Sequence, residues 1–216
     1  MMVLLVCLGC VALIAGVSGY LVIGRNRYGG KRAGRPLELG ASQSALSQGV
    51  IRPEPCRTIR VYFIKPSRYD ENGYVQFFRY GVQPNNTLTV LAALNDTFNK
   101  RYSAARNVYL QTVLWDEICD GAVSPETIVA IKEKAREDGV ELLIGLSGVQ
   151  SNQYPRGRDL GLQFVAHGLP TMMGGFHVSG YPESVKFLNS CGITTIVGEA
   201  ENLWGQIIED FLRGEL

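Results

Sequence analysis

The chain has 216 residues, with 21 basic and 20 acidic side chains and a formal net charge of +1. Proteins that bind nucleic acid through charge normally carry a clear basic excess, so this balance argues against a nucleic-acid partner. Hydrophobic residues make up 46% of the chain and charged residues 19%, which argues against a disordered protein. Roughly 160 residues remain after an apolar start and a polar tether, enough for one domain.

The cysteines indicate neither a disulfide framework nor a metal site. Cys7 and Cys10 lie in the apolar start of the chain, and Cys56, Cys119 and Cys191 are far apart. Such a set is atypical of small secreted disulfide-rich proteins. No spacing typical of zinc or iron–sulfur ligands occurs, so we expect no metal ion held by protein ligands alone.

Residues 1–24 predict a transmembrane anchor. No charged residue occurs in residues 1–23, and a helix of that length spans about 34 Å, enough for the bilayer core. Basic residues then precede the first acid, Glu38, so the positive-inside rule places the globular part in the cytoplasm. A cleaved signal peptide and a start site assigned too early stay open; the second would leave a cytoplasmic protein.

Residues 25–57 are rich in Gly, Ser, Pro and Arg and predict a flexible basic linker. From residue 58 to 216 the chain alternates between strand and helix patterns. Strands are predicted over 60–64, 108–115, 140–146, 169–173 and 193–197, and helices over 87–98, 124–139, 158–167, 182–189 and 201–213.

This alternation predicts an α/β fold with a parallel sheet and helices on both faces. The run 140–146 is almost continuously apolar, as expected of a strand covered on both sides. About five strand–helix units fit a flavodoxin-like (Rossmann-like) doubly wound domain. Such folds bind ligands outside the carboxyl ends of their strands, so the loops after the strands are the candidate sites.

Small and polar residues follow three of the predicted strands. Glycines at strand ends allow a bulky ligand to approach the backbone closely. We therefore predict a binding site at this edge of the sheet, formed by Ser147, Gly148 and Val149 after the third strand, Gly174, Gly175, Phe176 and His177 after the fourth, and Gly198 and Glu199 after the fifth.

Each of these features also has a simpler interpretation. Gly174-Gly175 could form only a tight turn, and Ser147 could be an ordinary turn residue. His177 could be an exposed or supporting histidine rather than a ligand. His167, close to a predicted helix end, is interpreted as a C-terminal cap.

The same loops carry a family resemblance, which spans residues 60–216. It rests on Gly-Gly-Phe-His (174–177), Pro182-Glu183, Gly-Glu-Ala-Glu (198–201), the terminal amphipathic helix, Ile-Gly-Leu-Ser (144–147), and the segments 65–70 and 84–88. In these features the chain resembles the cobalamin-binding domain of B12-dependent radical SAM proteins. The resemblance implies a corrinoid over the carboxyl edge of the sheet, with its nucleotide tail among the loops.

The resemblance further implies that Gly174 and Gly175 leave room for the tail. Ser147 and Gly148 would line its other side, and Gly198 and Glu199 would border the same groove. Many cobalamin domains supply a histidine to cobalt from the loop after the first strand, but residues 67–86 contain none. We therefore expect base-off binding without a histidine from that loop.

The sequence lacks the Cys-x-x-x-Cys-x-x-Cys motif that binds a [4Fe–4S] cluster, so we expect no independent catalysis. By resemblance, the chain is the cobalamin half of a radical SAM system with a separately encoded catalytic domain, a fragment of a split gene, or a stand-alone corrinoid carrier. A membrane-tethered scaffold that no longer binds a ligand is the main alternative. A phospho-acceptor receiver is disfavoured, because Ser147 and Gly198 stand where it needs Asp and Lys. Nucleotide-binding and hydrolase motifs do not occur.

Overall fold

The computed structural model describes residues 56–78 and 86–216. The predicted anchor over 1–24 lies outside the described residues, as does the predicted linker except for its last two positions. No helix in the described part of the chain is both long enough and apolar enough to cross a membrane.

The centre of the structure is a five-stranded sheet in which every strand pairing is parallel. Its order is β2-β1-β3-β4-β5, the order of flavodoxin-like folds, which confirms the predicted α/β class. The order reverses at β1, which lies between β2 and β3. The strands are β1 (Arg57–Lys65), β2 (Val108–Asp116), β3 (Glu141–Leu146), β4 (Thr171–Gly174) and β5 (Ile193–Ile196).

Helices connect the strands and cover the sheet. They are α1 (Asn86–Arg106), α2 (Glu117–Asp120), α3 (Pro125–Asp138), α4 (Tyr154–Ala166), α5 (Phe176–Gly180), α6 (Pro182–Ser190) and α7 (Trp204–Arg213), with a 3₁₀ turn at Ala200–Asn202. The start of α3 is as predicted, because the Ser124 side chain accepts a hydrogen bond from the Thr127 N–H and Pro125 occupies the first turn.

Several predicted boundaries are wrong. Helix α1 continues to Arg106 rather than ending at 98, because its buried side continues through two polar residues, Asn99 and Ser103. Helix α4 begins at Tyr154 rather than at 158, with a proline in its first turn. Helices α2 and α5 were not predicted, since runs of four or five residues carry no periodic pattern.

One face of the sheet packs against α1 and α7. Trp204, at the start of α7, packs against Phe63 of β1 in a tilted arrangement with ring centroids 5.4 Å apart. Its indole N–H donates to the buried Oδ1 of Asn95 at 3.0 Å, so the ring's polar atom is also satisfied. Burying each large side chain here contributes about 1.5–3 kcal/mol. The cluster also includes Ile59, Val61, Leu88, Phe98, Leu110, Leu143, Ile196, Ile207, Ile208 and Phe211.

Helices α3 and α4 pack against the opposite face. Gly161 of α4 lies so close to the sheet that an added Cβ would meet Cδ1 of Ile193 at 2.8 Å and Cδ1 of Leu146 at 3.2 Å. The absence of a side chain at this position lets the helix approach β3 and β5. Both faces are therefore covered, as the apolar run of β3 predicts.

Among the described strands, β2 lies at the rim of the sheet and pairs with β1 alone. Backbone groups on its outer side need other partners. The Asn99 amide donates to the Leu110 carbonyl at 2.8 Å, and its oxygen accepts from the Leu110 N–H at 2.9 Å; both bonds are buried. At the end of the strand, the Asp116 N–H donates to Oδ2 of Asp120. Side chains thus complete the hydrogen bonding of part of this rim.

Candidate functional site

The loops after β3, β4 and β5 meet at the carboxyl edge of the sheet. The Val149 N–H donates to the Gly174 carbonyl at 3.0 Å, and the His177 N–H donates to the Val149 carbonyl at 3.0 Å. The Gly198 N–H donates to Oγ of Ser179, a residue of α5, at 3.0 Å. The structure therefore brings the three predicted loops together, with direct contacts among Val149, Gly174 and His177.

Gly175 is the tightest point of this edge. An added Cβ would lie 2.2 Å from the Val149 nitrogen and 2.7 Å from its oxygen, and the backbone φ is +135°. No L side chain fits there without moving the loop after β3. The sequence allowed a tight turn or a close approach of a ligand; in the structure the close approach is made by the neighbouring loop.

The other glycines of the predicted site differ from Gly175. An added Cβ at Gly174 would meet Cβ of Ile196 at 3.4 Å, an ordinary contact, and Gly198 is exposed with open space around it. An added Cβ at Gly148 would lie 3.2 Å from Cγ2 of Thr87. The loop after β3 therefore lies against the first turn of α1.

Ser147 is buried and its groups are used inside the protein. Its N–H donates to the Ile64 carbonyl at 2.8 Å, which links β3 to β1, and its hydroxyl donates to the Gly145 carbonyl at 3.1 Å. Glu199 is exposed immediately before the 3₁₀ turn. Ser147 thus lies in the interior of the predicted site, whereas Glu199 lies at its solvent side.

His177 lies within a stack of aromatic rings. Its imidazole stacks on Tyr154 at 4.0 Å and on Tyr181 at 5.6 Å between ring centroids. Nδ1 is 3.2 Å from the Ser151 hydroxyl and Nε2 is 2.9 Å from the Ser184 hydroxyl. Burial lowers the pKa of His177, so the neutral ring is favoured. Because both nitrogens are hydrogen-bonded, the ring can ligate a metal only by giving up a bond.

The chain after β1 forms a small hairpin that was predicted only as a polar loop. The Gln76 N–H donates to the Arg68 carbonyl at 2.8 Å, and Tyr69 and Val75 form an antiparallel bridge. At the tip, Oδ1 of Asp70 accepts from the N–H groups of Asn72 and Tyr74. We call residues 67–76 the β1 hairpin.

Large apolar side chains are exposed around this edge. Phe176, directly after β4, is 83% exposed, and Tyr74 at the tip of the β1 hairpin is 72% exposed. Large exposed apolar groups that share one region are typical of binding surfaces. Of these groups only Phe176 was among the predicted site residues. The others in the same loops are Phe77, Phe78, Tyr181 and Val197.

A buried ion pair lies beneath the β1 hairpin. Glu117 has no solvent exposure, and its carboxylate pairs with the guanidinium of Arg156, which is also buried. Burial opposes the charged guanidinium, but hydrogen bonding and charge from Glu117 outweigh it, so the pKa of Arg156 is raised above its usual value. No local pattern in the sequence indicates this pair, because the two residues are 39 positions apart.

A depression of about 580 Å³ lies between α1 and α7, away from the carboxyl edge. Two of its three lining arginines form ion pairs: Arg106 pairs with Glu209, and Arg213 pairs with Asp210 and Glu215. No group of three or more His, Cys, Asp or Glu side chains within 56–78 and 86–216 could hold a metal ion.

No family model, curated protein or solved structure matches this chain.

Proposed function

We propose that this chain is a cobalamin (corrinoid)-binding module with no catalysis of its own. The observation that carries the proposal is the contact among the loops after β3, β4 and β5, which hold the residues of the family resemblance. Their position at the carboxyl edge of a doubly wound sheet is the usual place for a ligand in this architecture.

The chemistry of the edge fits a corrinoid. A macrocycle with a broad apolar surface needs apolar partners, and Phe176 with Val197 offers exposed apolar area next to the loop glycines. The ligand would be held by Ser147, Gly148, Val149, Gly174, Gly175, Phe176, His177, Gly198 and Glu199. When bound, the group supplies cobalt–carbon chemistry that protein side chains cannot provide.

In the proposal, two of these residues support the site rather than contact the corrinoid or its cobalt directly. Gly175 acts indirectly, because its lack of a side chain lets the loop after β3 pair with the loop after β4. His177 supports the loops through its two serine partners rather than serving as a cobalt ligand. The proposal therefore includes base-off binding with no cobalt ligand from His177.

We extend the proposal to a partner, a separately encoded radical SAM domain that carries the iron–sulfur cluster. A membrane anchor over 1–24 and a cytoplasmic location of the domain belong to the same proposal and rest on the sequence alone. The alternative is a membrane-tethered scaffold of the same fold that binds no ligand. The apolar side chains exposed at the carboxyl edge favour the binding module, since a scaffold has no need of them.

The test is an absorbance spectrum of the purified full chain in mild detergent. The protein is incubated with hydroxocobalamin, freed of unbound ligand by gel filtration and scanned. We expect a retained corrinoid spectrum. A folded but colourless protein would leave the scaffold as the better interpretation.

A pair of variants locates the site. Phe176→Ser removes an exposed side chain at the carboxyl edge, so we expect weaker retention of the corrinoid with an unchanged fold. Phe187→Ser changes the same residue type on α6, where the side chain is 45% exposed, and serves as the control. Equal retention by both variants would place the ligand elsewhere on the protein.

A further inference from the structure

We propose that Glu117 and Arg156 are positioning residues that hold the β1 hairpin as a fixed wall of the carboxyl edge. The inference rests on the proposed function, because the ligand that this wall would face is the proposed corrinoid. Both residues lie outside the predicted site, Glu117 at the start of α2 and Arg156 on α4.

The carboxylate of Glu117 joins three segments of the chain. Oε2 accepts from the Ser67 N–H at 3.0 Å, which holds the first residue of the β1 hairpin. Oε1 accepts from the Val123 N–H at 2.8 Å, in the connection between α2 and α3. Arg156 donates to both oxygens, from Nε at 3.1 Å and from Nη2 at 2.5 Å.

Arg156 adds further connections from α4. Its Nη2 also donates to the Val123 carbonyl at 2.9 Å, so this one guanidinium binds two parts of the turn after β2. Tyr69 lies two residues after Ser67 in the hairpin, and its hydroxyl donates to Oδ2 of Asp159 at 2.9 Å. Asp159 lies one turn after Arg156 on α4. The hairpin is thus connected to α4 directly through Tyr69 and Asp159, and indirectly through Glu117, which accepts from both Ser67 and Arg156.

These bonds act on the segment that presents exposed aromatic groups. The Ser67 hydroxyl donates to the Gln76 carbonyl at 2.6 Å and closes the base of the hairpin. Tyr74 is exposed at its tip, and Phe77 is exposed directly after its last residue. Because the base is held by a buried charge network, the orientation of these rings relative to the sheet is set before a ligand arrives.

A purely structural role predicts a different response to substitution. Buried ion pairs are often replaced by apolar residues of similar size without loss of stability. The double variant Glu117→Leu/Arg156→Met would restore a packed interior but would leave the Ser67 and Val123 N–H groups without their acceptor. If the pair serves only global stability, this variant should lower the free energy of unfolding because of these two unsatisfied donors, with no change in exchange confined to residues 67–76 and no change in ligand retention.

The experiment measures amide hydrogen exchange over residues 67–76 together with hydroxocobalamin retention, in the full chain. For the double variant we expect a cooperative unfolding transition, exchange in the β1 hairpin faster by about tenfold or more, and weaker ligand retention. Glu117→Gln should show the same local change, since an amide offers one acceptor where the carboxylate serves two backbone donors. Glu215→Gln, in an exposed pair with Arg213, is the matched control and should change neither measurement.

Parent-like exchange in the double variant would overturn the proposal, as would faster hairpin exchange with undiminished ligand retention. If the parent protein retains no corrinoid, the proposed function fails, while the exchange measurement still decides whether Glu117 and Arg156 hold the hairpin.

Discussion

The interior under α1 and α7 and the carboxyl edge of the sheet are held together by different forces. The interior is a cluster of aliphatic and aromatic side chains with few polar atoms, and the indole N–H of Trp204 is bonded to Asn95 within it. The edge depends on backbone bonds between loops, a stacked histidine and a buried ion pair. Apolar burial is non-directional and tolerates small shifts, whereas the bonds at the edge require specific positions. The effects of substitutions in the two regions should therefore differ in mechanism as well as in magnitude.

The largest effect is expected in the interior. Trp204→Ala removes a buried ring from its contact with Phe63 and leaves the Asn95 oxygen without its donor. We expect a loss of about 3–5 kcal/mol in the free energy of unfolding, measured by urea denaturation. Trp204→Phe keeps most of the volume and should lose markedly less. Similar losses for the two variants would mean that the missing hydrogen bond, rather than packing, dominates.

At the edge, Gly175→Ala should cost about 3 kcal/mol, because the added Cβ collides with the backbone of Val149 and the φ value is unfavourable for alanine. Gly174→Ala, one residue earlier, makes only an ordinary contact with Ile196 and should cost less than about 1 kcal/mol. Chemical denaturation of both variants measures the difference. Equal stability would show that the loops after β3 and β4 do not approach as closely as described.

The smallest effect is a pH dependence at His177. Burial lowers the pKa of its imidazole in the folded protein, while the unfolded chain titrates near the ordinary value of about 6.5. Below that pH the unfolded state binds more protons, so stability falls as the pH decreases and is fully present above it. Urea midpoints at about pH 5 and about pH 8 measure this slope.

His177→Gln is the comparison for that slope, since it removes the titrating group and retains a hydrogen-bonding side chain. The stability of this variant, measured by the same urea midpoints, should depend less on pH than that of the parent protein. An unchanged slope would assign the effect to other groups of the protein.

The elements that could be predicted from sequence are those with a repeating pattern or a local cap. The apolar run of β3, the Ser124-Pro125 start of α3 and the amphipathic pattern of α7 each correspond to a real element. All three depend on residues that are neighbours along the chain. The parallel sheet follows from their alternation with the other strands.

What sequence could not predict depends on contacts between distant residues. The end of α1 was missed because the buried side of the helix continues through Asn99, whose partner Leu110 lies in the next strand. The Glu117–Arg156 pair was missed for the same reason. For the site, the sequence placed the loops at one edge, but the role of Gly175 follows only from its distance to Val149.

The Asn99 side chain also affects how the protein behaves beside other chains. An outermost strand with free N–H and C=O groups is a template on which another extended chain can add, the first step towards aggregation. A side-chain amide has the same donor and acceptor as a peptide group, and Asn99 offers both to Leu110. At Leu110, the third residue of β2, helix α1 thereby takes the place of one residue of a neighbouring strand. At this point of the rim, the groups to which another extended chain could bond are already occupied by an amide that belongs to a helix.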